Sequence, residues 1–127
     1  MSKLHKRILV TGGAGFIGSE LVRQLVEQQY KVVVVDNLIN GKRENLEDLP
    51  GDSVQLAVVD IRDEARMIEL MAGVDIVYHL ACLGVRHSIH SPQENHEVNA
   101  SATLNLLFMA KAARVQRFVY VSSSEVY

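Results

Sequence analysis

The chain has 127 residues, enough for one hydrophobic core and too few for two. Hydrophobic residues make up 48% and charged residues 22%, as in an ordinary soluble α/β domain, and the net charge of -2 gives no reason to expect binding to nucleic acid or to an anionic membrane. The single cysteine excludes an internal disulfide, and the apolar run near the N-terminus is too short for a signal peptide or a membrane span. We therefore expect a cytoplasmic protein.

The first predicted strand (residues 7–11) and the first predicted helix (residues 16–29) are joined by a glycine-rich turn. The turn contains Gly12, Gly15 and Gly18 in the spacing G-x-x-G-x-x-G. Gly12 permits a sharp turn, Gly15 permits close approach of a pyrophosphate, and Gly18 permits tight packing of helix on strand. Free N–H groups and the helix dipole favour an anion there. The strand-turn-helix context predicts a dinucleotide site, with an ordinary connection as the alternative.

The second predicted strand (residues 31–35) contains four successive valines, which indicates burial on both faces in a parallel sheet. Asp36 ends this strand, eighteen residues after Gly18. A carboxylate at that position can accept hydrogen bonds from both ribose hydroxyls and would repel a 2′-phosphate, so it favours NAD over NADP. A solvated turn aspartate is the alternative, and Lys42 and Arg43 could counter a 2′-phosphate.

A loop with about one helical turn at residues 44–49 is predicted between residues 37 and 50. The third predicted strand (residues 54–59) ends at Asp60, and a helix over residues 63–71 follows. Asp60 and Ile61 could hold an adenine, with the carboxylate accepting from the exocyclic amine. An equal alternative is that Asp60 caps the helix.

The fourth predicted strand (residues 75–80) contains His79, which we interpret as a neutral, hydrogen-bonded core histidine. Cys82 is interpreted as a small packed residue rather than a reactive thiol. The loop that follows carries His87 and His90. No second pair of ligands accompanies them, so we expect no metal site.

A long helix is predicted for residues 92–113 because Pro92 suits a first helical turn. Asn99 is either exposed on this helix or bridges it to a neighbouring strand. A fifth strand follows at residues 117–121. Alternating strands and helices with right-handed crossovers predict an α/β fold, a Rossmann-type doubly wound parallel sheet with strand order 3-2-1-4-5. The candidate residues fall at the carboxyl ends of the strands, where ligands bind in such sheets.

Five sequence segments together resemble the extended short-chain dehydrogenase/reductases, and more narrowly the NAD-dependent nucleotide-sugar epimerases and dehydratases. The segments are TGGAGFIGS from Thr11, DNL from Asp36, DIR from Asp60, HLA from His79 and SSSEVY from Ser122. This resemblance covers nearly the whole chain. It implies a tightly held NAD that transiently oxidises a carbon of a nucleotide-sugar substrate.

The resemblance also implies roles for single residues. Ser123 matches the serine or threonine that hydrogen-bonds the reacting sugar hydroxyl. Glu125 matches a glutamate that acts as a base at the neighbouring carbon in the dehydratase and decarboxylase branches, although epimerases vary here and the branch stays open. The implied cofactor-binding residues are Gly12, Gly15, Phe16, Ile17, Gly18, Asp36, Asn37, Asn40, Asp60, Ile61, Leu80, Ala81 and Asn99.

The family's catalytic Tyr-x-x-x-Lys motif does not occur in this sequence. Four residues after Tyr30, Tyr78 and Tyr120 stand Val34, Cys82 and Ser124. We therefore expect residues 1–127 to be the NAD-binding domain of a longer enzyme, truncated before that motif and the substrate-binding region, and inactive alone. A stand-alone, non-catalytic NAD-binding module is the alternative. An open edge at the fifth strand favours a homodimer.

Overall fold

Five parallel strands form a single sheet in the computed structural model, which describes residues 6–82 and 89–121. The strands are β1 (Arg7–Thr11), β2 (Lys31–Asp36), β3 (Val54–Val58), β4 (Ile76–His79) and β5 (Arg117–Tyr120). Their order in the sheet is β3-β2-β1-β4-β5, and every neighbouring pair is parallel. This confirms the predicted Rossmann-type topology.

The described helices are α1 (Phe16–Glu27), α2 (Glu64–Met71), α3 (Pro92–His96) and α4 (Ala102–Ala112). A 3₁₀ turn at Arg43–Leu46 lies in the connection between β2 and β3. Helix α1 ends two residues earlier than predicted because Gln29 adopts a left-handed φ of 71°. No described helix is long and apolar enough to cross a membrane.

The predicted single helix over residues 92–113 contains a π-helical segment, Glu97–Ser101, between α3 and α4. At its end the N–H of Ala102 donates to the carbonyl of Glu97, five residues earlier. Polar side chains that compete for backbone hydrogen bonds occur in this region: the Thr103 hydroxyl donates to the carbonyl of Asn99. The apolar periodicity of the sequence carries no sign of this irregularity.

Two apolar layers cover the sheet, because successive residues of a strand point to opposite faces. One face packs against α1 through buried residues that include Ile8, Val10, Val22, Val32 and Val34. The other packs against α2 and α4 through Leu9, Val33, Val35, Met67, Val77 and Leu106. The valines of β2 are thus buried on both faces, as their unbroken run predicts. Both helical layers leave the carboxyl ends of the strands accessible.

Candidate functional site

A cavity of about 750 Å³ lies beyond the carboxyl ends of β1, β2, β3 and β4. Its volume is in the range of small-molecule and cofactor sites. Nine residues that were predicted from the sequence line it: Gly12, Gly15, Asp36, Asn37, Asn40, Asp60, Ile61, Leu80 and Ala81. The structure adds Val35, Ile39, Gly41, Val59, Arg62, Cys82, His90, Glu94 and Val98 to the lining.

The glycine turn between β1 and α1 forms one wall of this cavity. Gly12 has a φ of 71°, and a Cβ there would lie 3.0 Å from the backbone nitrogen of Ala81. A Cβ at Gly18 would overlap the carbonyl oxygen of Gly12 and lie 2.8 Å from the Cα of Gly13. Both positions therefore require glycine for the fold itself.

Gly15 differs from the other two glycines because the fold leaves room for a side chain. A Cβ on Gly15 would lie 3.4 Å from the nearest atom, the carbonyl oxygen of Gly12, which is ordinary van der Waals contact. Gly15 is also the N-cap of α1 and supplies no capping side chain. The N–H groups of the first helical turn are therefore available to an anion in the cavity.

Asp36 is held rigidly at the end of β2. Its carboxylate accepts from the N–H of Ala14 at 3.0 Å and from the N–H of Leu38 at 2.8 Å. A Cβ on Gly41 would lie 2.6 Å from Asp36 Oδ2, so glycine permits the loop to close over the carboxylate. Asp36 is only 8% exposed, and the alternative of a solvated turn aspartate is wrong. Each oxygen keeps a lone pair for a ligand hydroxyl.

Asp60 lies after β3 and forms a two-point ion pair with Arg62. Arg62 Nε donates to Asp60 Oδ1 at 3.0 Å, and Nη2 donates to Oδ2 at 2.7 Å. This hydrogen-bonded guanidinium holds the pKa of the Asp60 carboxyl below its usual range. The helix-cap alternative is wrong, because the N-cap of α2 is Asp63, which accepts from the N–H of Arg66.

Arg62 also connects the end of β3 to α3, a role that the sequence did not reveal. Its Nη1 lies 3.4 Å from Glu94 Oε2 and 3.6 Å from Glu97 Oε2. Three carboxylates therefore surround one guanidinium at the rim of the cavity, and two of them, Asp60 foremost and then Glu94, raise the pKa of Arg62 above its ordinary value. The Asp-x-Arg spacing is the one sequence signal of this ion pair. The partners Glu94 and Glu97 come from α3 and the π-helical segment after it, and their approach depends on the tertiary fold.

A second wall of the cavity, next to the glycine turn, is formed by Leu80 and Ala81, and the Thr11 side chain holds it in place. Thr11 Oγ1 accepts from the N–H of Leu80 at 3.0 Å and from the N–H of Ala81 at 3.1 Å. The same oxygen lies 2.6 Å from His79 Nδ1. The sequence predicts no separate role for Thr11. In the structure its side chain fixes the backbone of Leu80 and Ala81 beside the cavity.

His79 is 1% exposed and bonded through both ring nitrogens, which confirms the predicted core histidine. Its Nε2 lies 2.7 Å from Thr103 Oγ1 on α4. Burial lowers the pKa of His79 to about 4. Thr103 provides a bridge from this helix to the sheet, while the Asn99 amide donates to Asn95 Oδ1 at 3.2 Å. Asn99 is half-buried and lies outside the cavity lining.

The remaining predicted residues lie elsewhere. Phe16 and Ile17 begin α1 with side chains 91% and 70% exposed, outside the cavity lining, and Gly18 is buried beneath the turn. Ser123 and Glu125 lie outside the described residues.

The expectation for Cys82 is wrong. Its side chain is exposed and lines the cavity, because it lies three residues beyond β4, where the sheet no longer encloses it. His90 also lines the cavity, whereas His87 is outside the described residues. Within residues 6–82 and 89–121, no group of three His, Cys, Asp or Glu side chains could hold a metal ion.

The chain is similar in sequence and in structure to known proteins. The profile of the NAD dependent epimerase/dehydratase family matches residues 8–127. A UDP-glucose 4-epimerase of Klebsiella pneumoniae is 40% identical over 127 residues, covering 95% of this chain and 91% of that protein. A UDP-N-acetyl-alpha-D-glucosaminuronate decarboxylase of Bacillus cytotoxicus is 39% identical over 98% of this chain.

Among solved structures, the UDP-glucose-4-epimerase of Stenotrophomonas maltophila with bound NAD and formylated UDP-arabinopyranose superposes with a TM-score of 0.87. It is 38% identical to this chain and covers 97% of it. The chain spans only 38% of the length of that epimerase and 38% of the length of the Bacillus decarboxylase.

Proposed function

The chain belongs to the NAD dependent epimerase/dehydratase family, and from this premise we propose that its cavity binds NAD as part of a nucleotide-sugar epimerase or dehydratase. Residues 1–127 are then the NAD-binding domain of that enzyme, and the nucleotide sugar is bound with the help of residues beyond this domain. One observation carries the proposal: the glycine turn and the carboxylates of Asp36 and Asp60 all face one cavity.

The glycine turn suits the pyrophosphate of the cofactor. The uncapped first turn of α1 supplies N–H donors and the positive end of the helix dipole. The open space next to the Cα of Gly15 admits a close approach to the backbone. A phosphate there needs no positively charged side chain, because the donors are main-chain groups.

The two carboxylates suit the adenosine half. Asp36 already accepts from Ala14 and Leu38, so its remaining lone pairs are aimed by the backbone toward a hydroxyl donor such as a ribose. Asp60, kept ionised by Arg62, can accept from the exocyclic amine of adenine beside Ile61. A 2′-phosphate would bring negative charge against the buried Asp36 carboxylate, which favours NAD over NADP.

The chemistry that bound NAD would supply is reversible hydride transfer with a carbon of the sugar. The chain's own contribution would be to hold the cofactor against the glycine turn and the neighbouring wall formed by Leu80 and Ala81. Ser123 then orients the reacting sugar hydroxyl, and Glu125 serves as a base at the neighbouring carbon in a dehydratase or decarboxylase. Resemblance to the family supports these two roles. A separate observation, the edge position of β5 among the described strands, supports self-association as a homodimer.

Calorimetric titration with NAD and with NADP tests the proposal. We expect NAD to bind at least about tenfold more tightly, since hydrogen bonds to a charged group contribute about 1.5–3 kcal/mol. Asp36→Asn keeps the shape of the side chain but removes its charge. The variant should bind NAD about tenfold or more weakly, and the ratio of its affinities for NAD and NADP should be smaller than in the wild type. Asp52→Asn, at the opposite end of the sheet, is the matched control.

A pair of glycine variants separates binding from folding. Gly15→Ala should leave the melting temperature nearly unchanged, because its Cβ finds room, but it should weaken NAD binding by occupying the space of the pyrophosphate. Gly51→Ala, where a Cβ meets nothing within 4 Å, should affect neither. Failure of the folded wild-type chain to bind NAD would overturn the proposal, and equal affinities for NAD and NADP would overturn the role of Asp36.

A further inference from the structure

We infer that His79 is a positioning residue, held as the neutral Nε2–H tautomer, that ties the Leu80–Ala81 wall of the cavity to α4. The inference rests on a directed series of hydrogen bonds through Thr11, His79 and Thr103. It rests on the proposed function only where it concerns the affinity for NAD, and its structural part can be measured without any cofactor.

The direction of the series is set at Thr11. A hydroxyl oxygen has two acceptor lone pairs and one proton to donate. Thr11 Oγ1 uses its lone pairs to accept from the N–H groups of Leu80 and Ala81, at 3.0 and 3.1 Å. Its proton is therefore left for His79 Nδ1, 2.6 Å away, and that ring nitrogen must be the acceptor.

The protonation of Nε2 follows from that of Nδ1. A neutral imidazole with an unprotonated Nδ1 carries its proton on Nε2. Nε2 then donates to Thr103 Oγ1 at 2.7 Å, and the Thr103 hydroxyl passes its own proton to the carbonyl of Asn99 at 3.1 Å. Every donor in the series thus meets an acceptor, and the alternative Nδ1–H tautomer would aim a proton at an oxygen whose lone pairs are already in use.

This arrangement couples a helix to the cavity. Thr103 and Asn99 belong to α4 and to the π-helical segment before it, and neither residue lines the cavity. Leu80 and Ala81 do line it, and the backbone of Ala81 packs against the Cα of Gly12 at the glycine turn. The ring of His79 is enclosed further by Phe118 and Tyr120 on β5, with centroids 6.1 and 5.9 Å away. A shift of the helix is thereby transmitted to the wall through one ring of fixed orientation.

The tautomer itself is measured by ¹⁵N NMR of the histidine-labelled chain, with His79 assigned through backbone connectivity. At neutral pH we expect a protonated Nε2 and an unprotonated, hydrogen-bonded Nδ1. An Nδ1–H tautomer, an imidazolium, or rapid exchange between tautomers would overturn the inference. This measurement needs neither a variant nor NAD.

The positioning role is tested with Thr103→Val, which keeps the shape of the side chain but removes the hydroxyl, against Thr103→Ser, which keeps the hydroxyl. With Nε2–H deprived of its acceptor, amide hydrogen exchange at Leu80 and Ala81 should speed up about tenfold or more. NAD should bind roughly threefold to tenfold more weakly. Thr103→Ser should restore both quantities, whatever the melting temperatures of the two variants.

The outcomes separate the two proposals. Unchanged exchange at Leu80 and Ala81 in Thr103→Val would show that Thr103 is merely structural and overturn the positioning role. Equal NAD affinity of Thr103→Val and wild type would overturn it as well. If the amides respond as expected but no form of the chain binds NAD, the hydrogen-bond series stands and the proposed function fails.

Discussion

Lowering the pH from 7 to 4.5 should destabilise the folded chain through His79. Its pKa falls to about 4 in the folded protein, against 6.5 for an unperturbed histidine. Between those values the unfolded state binds the proton more readily than the folded state. Stability is therefore fully present above about pH 6.5 and is lost as the pH falls toward 4.

The size of this loss follows from the two pKa values. A difference of one pKa unit corresponds to about 1.36 kcal/mol, so the full interval amounts to about 3 kcal/mol, of which about 2 kcal/mol is lost between pH 7 and 4.5. That is a large fraction of the 5–15 kcal/mol that stabilises an ordinary domain. The cause is desolvation of the ring, which is 1% exposed and enclosed by hydroxyl and aromatic groups.

Denaturant unfolding at a series of pH values between 7 and 4.5 measures this effect, with His79→Gln as the comparison. The variant is expected to be less stable at pH 7, because it loses buried hydrogen bonds, but to depend less on pH. Every other ionisable group is common to the two proteins, so its contribution cancels in the difference. Parallel curves for the two proteins down to pH 4.5 would refute the assignment of the acid sensitivity to His79.

Three further predictions address the turn, the catalytic segment and the sheet edge. Gly18→Ala should lower the free energy of unfolding by about 1–3 kcal/mol because the new Cβ overlaps Gly12, whereas Gly51→Ala should change it by less than about 1 kcal/mol. Melting curves measure the difference, and equal stability of the two variants would contradict the packing argument. In a protein that joins this chain to the family's Tyr-x-x-x-Lys motif, Ser123→Ala should lower turnover roughly a hundredfold or more with little effect on NAD affinity; near-normal turnover would limit Ser123 to a structural role. In the part of the chain that the structure describes, β5 is the sheet edge next to β4, so self-association should appear in sedimentation at micromolar concentration. A clean monomer with a well-protected β5 would contradict this prediction.

Local chemistry explains why much of the fold could be predicted. Four successive valines favour a strand covered on both faces, and β2 is such a strand. Gly12 and Gly18 were predictable because a turn and a close helix contact exclude a Cβ at those positions. The position of Asp36 was predictable because it ends β2, and ligands of such sheets bind at the carboxyl ends of the strands.

Features that depend on contacts distant in the sequence escaped prediction. Arg62 meets Glu94 and Glu97 only because α3 and the start of the π-helical segment lie near the end of β3 in the folded chain. The exposure of Cys82 depends on how the chain leaves β4, since a small residue can be packed or open with equal ease. The π-helical segment is likewise marked by the backbone bond from the Ala102 N–H to the carbonyl of Glu97, a pattern that an apolar periodicity does not encode.

The most direct test of the central claim is a map of backbone amide shifts on titration with NAD. We predict the largest changes at Gly12, Gly15, Asp36 and Ala81, around the cavity at the carboxyl ends of the strands. Gly51, at the opposite end of the sheet, should remain unchanged. Shifts clustered at that opposite end, or no shifts at saturating NAD, would contradict the assignment of this cavity to the cofactor.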